Sequence, residues 1–284
     1  MHTNNNETLK TLGPVAGRLV ATLYSRNRPI FHFQEAAEIL DGRPATASKV
    51  LFRLINNGVV TRLKSRTFRL VPFELGFERE DLGNPYLVAR ELVLGGHKGM
   101  KERYYLSYGS AFDLHQMLTQ PQFIIYVSSP RMMRSQIIQG TEFRFVRCKT
   151  KDLFGLTEIW VDKNEKVYIS DLERTLLDGL KQPAYCGGLL EVAKGFSIKR
   201  EAIDPQKLID YAIKLDIGAV NRRLGYLMEL YNIGLRIHWE FLQTTLTPTY
   251  HLLDPELPAE GHHIAKWRLR LNVSQEELLA SRGT

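Results

Sequence analysis

The segment YISDLERTLLDGLKQPAYCGG, Tyr168–Gly188, decides how the larger part of the chain is read. A short β-type run ends at Ser170, and Ser170-Asp171-Leu172-Glu173 matches a capping box. The Ser170 hydroxyl is placed to accept the Glu173 N–H, and the Glu173 carboxylate to reach back to Ser170. Acids in the first turn also suit the helix dipole. At 100° per residue, Leu172, Leu176, Leu177 and Leu180 share one arc. Asp171, Arg174 and Asp178 form a narrow stripe on the opposite side, where Arg174 is spaced to pair with either acid. Pro183 ends the helix, and Gly187-Gly188 permits positive φ or close packing beyond it. The spacing predicts an amphipathic helix with an exposed ion-pair row, in preference to a catalytic acid cluster.

The flanks fit a mixed domain. Upstream, QFIIYVSS reads as a buried strand and FRFVRCK as a half-buried one. GLTEIWV and KVYIS flank Asp162–Glu165 as a hairpin. YLVARELVLG and GSAFDLHQML read as helices, with a short YYLS run between them. Downstream, helices are expected from about Leu189, from Asp204-Pro205 with its cap-then-proline signal, and from Gly218 to Tyr231. A strand is expected around WRLRLNV. This is an α+β pattern, neither a repeat nor a doubly wound sheet.

The first quarter of the chain reads differently. Residues 1–10 look disordered. Leu12, Val15, Ala16, Leu19 and Leu23 predict a helix to about Ser25, and Arg28-Pro29 breaks it. Ile30-Phe31 is a short strand and Gln34–Leu40 a short helix without a usual cap. A third helix covers Ala45–Asn57, followed by a basic hairpin, VVTRLK and TFRLV, with Ser65-Arg66 at its tip. Helix, helix, tight turn, helix and hairpin is the layout of a winged helix-turn-helix. Ala47, Val50, Leu51, Leu54 and Ile55 form the inward arc of the third helix. Thr46, Lys49 and Arg53, with Ser48 and Phe52 beside them, face the other way, as a helix in a major groove requires. Arg43 at the helix start and Arg62, Lys64, Arg66 and Arg69 on the hairpin complete the expected DNA-binding set. Such cations supply affinity for phosphate and carry no base information. The expected organisation is a DNA-binding domain over residues 1–75, a connector over 76–90 and an α+β domain over 91–284.

Charge supports the division. The chain carries +7 over 284 residues. Residues 1–75 hold eleven Lys/Arg against five Asp/Glu, so nearly all of the excess lies in this first quarter. The N-terminus lacks an apolar signal region, no apolar run approaches membrane-span length, and Cys148 and Cys186 make no disulfide framework. A cytoplasmic protein with no membrane partner is expected. There is no phosphate-binding glycine loop and no nucleophile elbow. Gly109-Ser110 lacks the closely spaced carboxylates of a nucleotidyltransferase. Asp152, Glu158, Asp162 and Glu165 lack nuclease spacing, and His262-His263 with Cys186 lacks zinc spacing. His115 reads as a packed, hydrogen-bonded residue, and Trp160, Trp239 and Trp267 as core or rim. No catalytic residue, metal or cofactor is expected.

The combination of a β-hairpin, SDLERTLLDGL, CGG and EVAKGF resembles the AbiEi family, the antitoxins of bacterial type IV toxin–antitoxin and phage-defence systems. YYLSYGSAFDLHQM, AVNRRLGYLMELYNIG and the LDP…G…KWRLRLNV tail agree, so the resemblance spans about residues 15–275. It implies an antitoxin domain after the winged helix. It further implies repression of the protein's own operon through inverted repeats in promoter DNA, and neutralisation of an AbiEii-type nucleotidyltransferase toxin without a stable complex. On this sequence the family's DNA-contacting positions fall on Thr46, Ser48, Lys49 and Arg53, with Arg62, Lys64 and Arg66 on the wing. Its motif positions in the second domain fall on Asp171, Glu173, Arg174 and Asp178, which form either an antitoxin surface or only the polar side of a helix. The alternative is a stand-alone winged-helix regulator whose larger domain senses a ligand or dimerises.

Overall fold

The computed structural model describes residues 12–73, 82–95, 104–118, 120 and 123–280. The chain divides into two compact units, Met1–Met100 with Ile138–Gly140, and Lys101–Ile137 with Thr141–Thr284. Residues 1–10, expected to be disordered, residues 74–75 at the end of the expected DNA-binding domain and residues 76–81 of the expected connector lie outside the described residues. The architecture is mixed α+β, with helices and three separate sheets.

In the first unit the order is α1 (Pro14–Ser25), β1 (Ile30–His32), α2 (Phe33–Ile39), α3 (Pro44–Asn56), β2 (Val60–Lys64), β3 (Thr67–Leu70) and α4 (Pro85–Leu94). The strands pair antiparallel in the order β1-β3-β2, so β3 is central. Leu19 and Leu23 of α1, Ala47, Leu51 and Leu54 of α3, and Phe31 and Phe68 of the sheet form one buried core. The 3.6-residue spacing of those α3 positions is the reason the helix has a single inward arc. His32 at the start of α2 makes no side-chain cap bond.

The Asn84-Pro85 signal does start α4: the Asn84 side chain accepts the Tyr86 N–H at 2.9 Å. This helix belongs to the first unit and is fastened to the sheet. His32 links Glu91 Oε2 through Nε2 (3.1 Å) to Thr67 Oγ1 through Nδ1 (3.2 Å). Lys64 Nζ donates to the Leu92 carbonyl at 3.2 Å. Burial opposes the Glu91 charge, but the His32 hydrogen bond and Arg90 hold its pKa below the usual carboxylate value.

A six-stranded mixed sheet, ordered β6-β7-β5-β4-β9-β8, belongs to the second unit except for Ile138, the last residue of β6. Its strands are β4 (Tyr105–Leu106), β5 (Ile124–Ser129), β6 (Gln136–Ile138), β7 (Thr141–Arg147), β8 (Leu156–Asp162) and β9 (Glu165–Ser170). α5 (Tyr108–Leu114) follows β4. After β9 come α6 (Leu172–Lys181), a 3-10 turn (Pro183–Cys186), α7 (Leu189–Ile198), α8 (Pro205–Leu215), α9 (Gly218–Leu230) and α10 (Arg236–Thr244). A small sheet of β10 (His251–Leu252), β11 (His262–Ile264) and β12 (Leu269–Leu271), then α11 (Gln275–Ala280), completes the unit. The hairpin β8–β9 lies where expected, Asp204 caps α8 by accepting the Gln206 and Lys207 N–H groups, and Gly187 and Gly188 both take positive φ.

α6 is the hub. It touches α5, α7, α8 and α9, and Leu176, Leu177 and Leu180 enter the main core with Phe112, Phe196, Leu208, Leu224 and Trp267. Close approach here depends on two glycines. A Cβ on Gly179 of α6 would stand 2.8 Å from the Phe112 ring, and one on Gly195 of α7 also 2.8 Å from it. Arg222 and Arg223 of α9 tie down the chain that follows. Arg222 donates to the carbonyls of Gly218, Thr247 and Thr249, and Arg223 to those of Leu180, Leu252 and Leu253.

Candidate nucleic-acid interface

α3 starts with Arg43 at its N-cap and Pro44 in its first turn. Arg43, Ser48, Lys49, Phe52 and Arg53 are exposed and Thr46 is half-buried, whereas Ala47, Leu51 and Leu54 are buried. The helix contains no acid, so its outward arc is wholly neutral or cationic. Such a surface attracts a polyanion and repels none of it.

The hairpin divides the remaining cations. Arg62 and Arg66 are exposed; Arg66 sits at the turn with φ of 64° and its guanidinium lies 5.3 Å from the Phe33 ring centroid. The other two expected DNA contacts are placed elsewhere. Lys64 is half-buried, with its ammonium on the Leu92 carbonyl. Arg69 is buried on the central strand, opposite Ile30 on one side and Thr61 on the other, and its guanidinium packs against Gly83. Chain returning past the sheet covers a charge that strand alternation alone leaves facing out.

The acidic row of the second unit is also corrected. Glu173, Arg174 and Asp178 are buried, with Arg174 and Asp178 only 1% and 0% exposed, so no ion-pair row lies on the surface. Asp171, not Ser170, is the N-cap: its Oδ1 accepts the Arg174 N–H at 3.0 Å. Ser170 instead bonds the Thr175 hydroxyl at 2.7 Å. Glu173 reaches across to α8, accepting the Asp204 N–H (3.0 Å) and pairing with Lys207 Nζ (2.7 Å), while Asp171 takes Tyr211 OH (3.0 Å) and the same Lys207 (3.1 Å).

Within the core, Arg174 Nε donates to Asp178 Oδ1 at 3.0 Å and Nη2 to Tyr105 OH at 2.9 Å, and Tyr105 OH donates to Asp178 Oδ2 at 3.2 Å. Arg174 Nη1 donates to the Asp152 and Phe154 carbonyls. Burial opposes the Arg174 charge, yet Asp178 beside it raises the guanidinium pKa above its ordinary value. Burial and then Asp178 push the Tyr105 hydroxyl well up. The arrangement is a hydrogen-bonded network that ties α6 to β4 and to the Asp152–Phe154 segment.

Tyr105, Lys207, Arg222 and Arg223 were not singled out from sequence. Only the cap-then-proline start of α8 hinted at Lys207, one turn in. The expectation for His115 fits. His115 Nε2 donates to the Ser170 carbonyl at 2.8 Å, and burial lowers its pKa. Trp267 is buried and donates to Glu229 and Trp239 donates to the Ile233 carbonyl, whereas Trp160, expected as core or rim, stands exposed on edge strand β8 under Lys166. Burial raises the Cys186 thiol well above its usual value and the Cys148 thiol to about 11, away from thiolate chemistry. Among the described residues no group of three His, Cys, Asp or Glu is placed to hold a metal ion, and no helix is long and apolar enough to cross a membrane.

No family model and no curated protein matches the chain. The chain is similar in fold to the crystal structure of the Rv2827c protein from Mycobacterium tuberculosis. The TM-score is 0.70, the identity 15%, and 96% of each chain is covered.

Proposed function

We propose that the chain is a DNA-binding autorepressor and antitoxin of the AbiEi type. In this reading the first unit is a winged helix-turn-helix, with α2 and α3 as its helix pair and β2–β3 as its wing. α3 enters the major groove of double-stranded promoter DNA with inverted repeats, through Arg43, Thr46, Ser48, Lys49 and Arg53, and Arg62 and Arg66 of the wing meet phosphates. The observation that carries the reading is the acid-free outward arc of α3 beside those two exposed hairpin arginines. The element order α1-β1-α2-α3-β2-β3 and the sheet order β1-β3-β2 support it.

The second unit is the antitoxin domain, counteracting a nucleotidyltransferase toxin; the ERTLLD and CGG motifs support this. Glu173, Arg174 and Asp178 are buried, which supports a scaffolding role for them in this reading and an antitoxin surface elsewhere on the unit. No catalysis by this chain is proposed.

The two halves separate in one experiment. Full-length protein is co-expressed with the neighbouring toxin gene, beside a reporter driven by the operon promoter. Wild type is expected to repress the reporter and restore growth. A Lys49→Ala/Arg53→Ala variant is expected to restore growth without repressing. Unchanged repression by the variant would sink the DNA half, and failure of wild type to restore growth the antitoxin half.

A further inference from the structure

Phe52 stands 69% exposed on α3. At 100° per residue the outward arc runs Ser48, Phe52, Ala45, Asn56, Lys49, Arg53, all of them exposed. Phe52 therefore sits within the arc, one turn beyond Ser48 and Lys49 and one turn before Asn56. Isolated exposed apolar residues are ordinary on protein surfaces. This one is set among polar and cationic side chains with no acid on the helix, on the face that the DNA-binding reading turns toward base edges and phosphates. In the major groove the thymine C5-methyl is the one apolar group among the base edges exposed there.

We propose that Phe52 is a specificity-determining residue that packs on the C5-methyl of a thymine in each operator half-site. The inference rests on the assignment of α3 as the DNA-binding helix and adds which base chemistry that helix recognises. Lys49 and Arg53 hold the helix in register on the phosphates, and Phe52 discriminates by contact with a methyl group. Because Phe52 lies outside the core, its truncation leaves the fold intact.

The test uses the full chain and a duplex selected by wild type from a random pool. Each thymine is replaced in turn by deoxyuridine, which removes the methyl group and leaves the hydrogen-bonding edge. Wild type is expected to lose about three- to fivefold in affinity at one thymine per half-site, the effect of burying one methyl group less. Phe52→Ala is expected to show no loss at that thymine, and Phe52→Leu to keep it. Both variants should retain wild-type melting temperature and wild-type salt dependence, since phosphate contacts are untouched. A Phe52→Ala variant that remains as sensitive to deoxyuridine as wild type overturns this inference and leaves the DNA-binding reading standing. If wild type selects no duplex and binds none with salt-dependent affinity, both fall together.

Discussion

Asp178 shows how burial changes what a carboxylate is for. Its two oxygens are taken by Arg174 and Tyr105, each inside the core. Asp178→Asn leaves the Arg174 charge without its counter-ion, and breaking such a buried pair costs about 3–5 kcal/mol. The melting temperature should fall by on the order of 10 °C in a calorimetric scan. A loss of a degree or less would place the pair at the surface after all. His115 makes a second test by pH. Burial lowers its pKa, so between its folded value and the ordinary imidazole value of 6.5 the unfolded chain binds more protons than the folded one. Stability therefore rises with pH in that window and is lost as pH falls through it. Denaturant titrations from pH 7 to pH 5 should show the decline, and His115→Gln should flatten it.

α3 and α6 carry the same kind of pattern in sequence and end in opposite settings. Each shows one apolar arc and one polar stripe. In α3 the stripe faces solvent, because a helix at the margin of a small core has neighbours on one side only. In α6 the stripe faces β4 and α8, where Tyr105, Tyr211 and Lys207 meet it. Periodicity records which positions are alike; it does not record whether a polar stripe meets water or other polar groups. The helix itself was legible, and its burial was not, because the partners lie 34–69 residues away in sequence. The close packing around α6 is testable at Gly179. Gly179→Ala would drive its methyl group into the Phe112 ring and should destabilise by about 1–3 kcal/mol. Phe112→Leu in the same chain should recover part of the loss by vacating that space. No recovery would mean that the cost arises elsewhere.

Across the chain, the split between a basic first quarter and a nearly neutral remainder was visible in composition, and so were the longer helices and strands. The short strands β6, β10 and β11 and the helices α10 and α11 were not. They are two to nine residues long and exist through pairing and packing with distant segments, such as His251 beside Leu269. The same limit governs Arg69 and Lys64. Their type and spacing predicted a basic wing, but Gly83 and Leu92, beyond the hairpin, occupy them. The exposed positions left for the proposed DNA contact are Arg43, Ser48, Lys49, Phe52 and Arg53 of α3 and its cap and Arg62 and Arg66 of the hairpin, with Thr46 half-buried among them.

Salt dependence tests that set most directly. The affinity of the full chain for its promoter duplex is measured from about 50 to 200 mM salt, for wild type and for Lys49→Ala/Arg53→Ala. Wild-type affinity should fall steeply and linearly on logarithmic axes, and the double variant should bind more weakly with a slope shallower by about two. An unchanged slope and affinity in the variant would contradict the assignment of α3 as the DNA-binding helix.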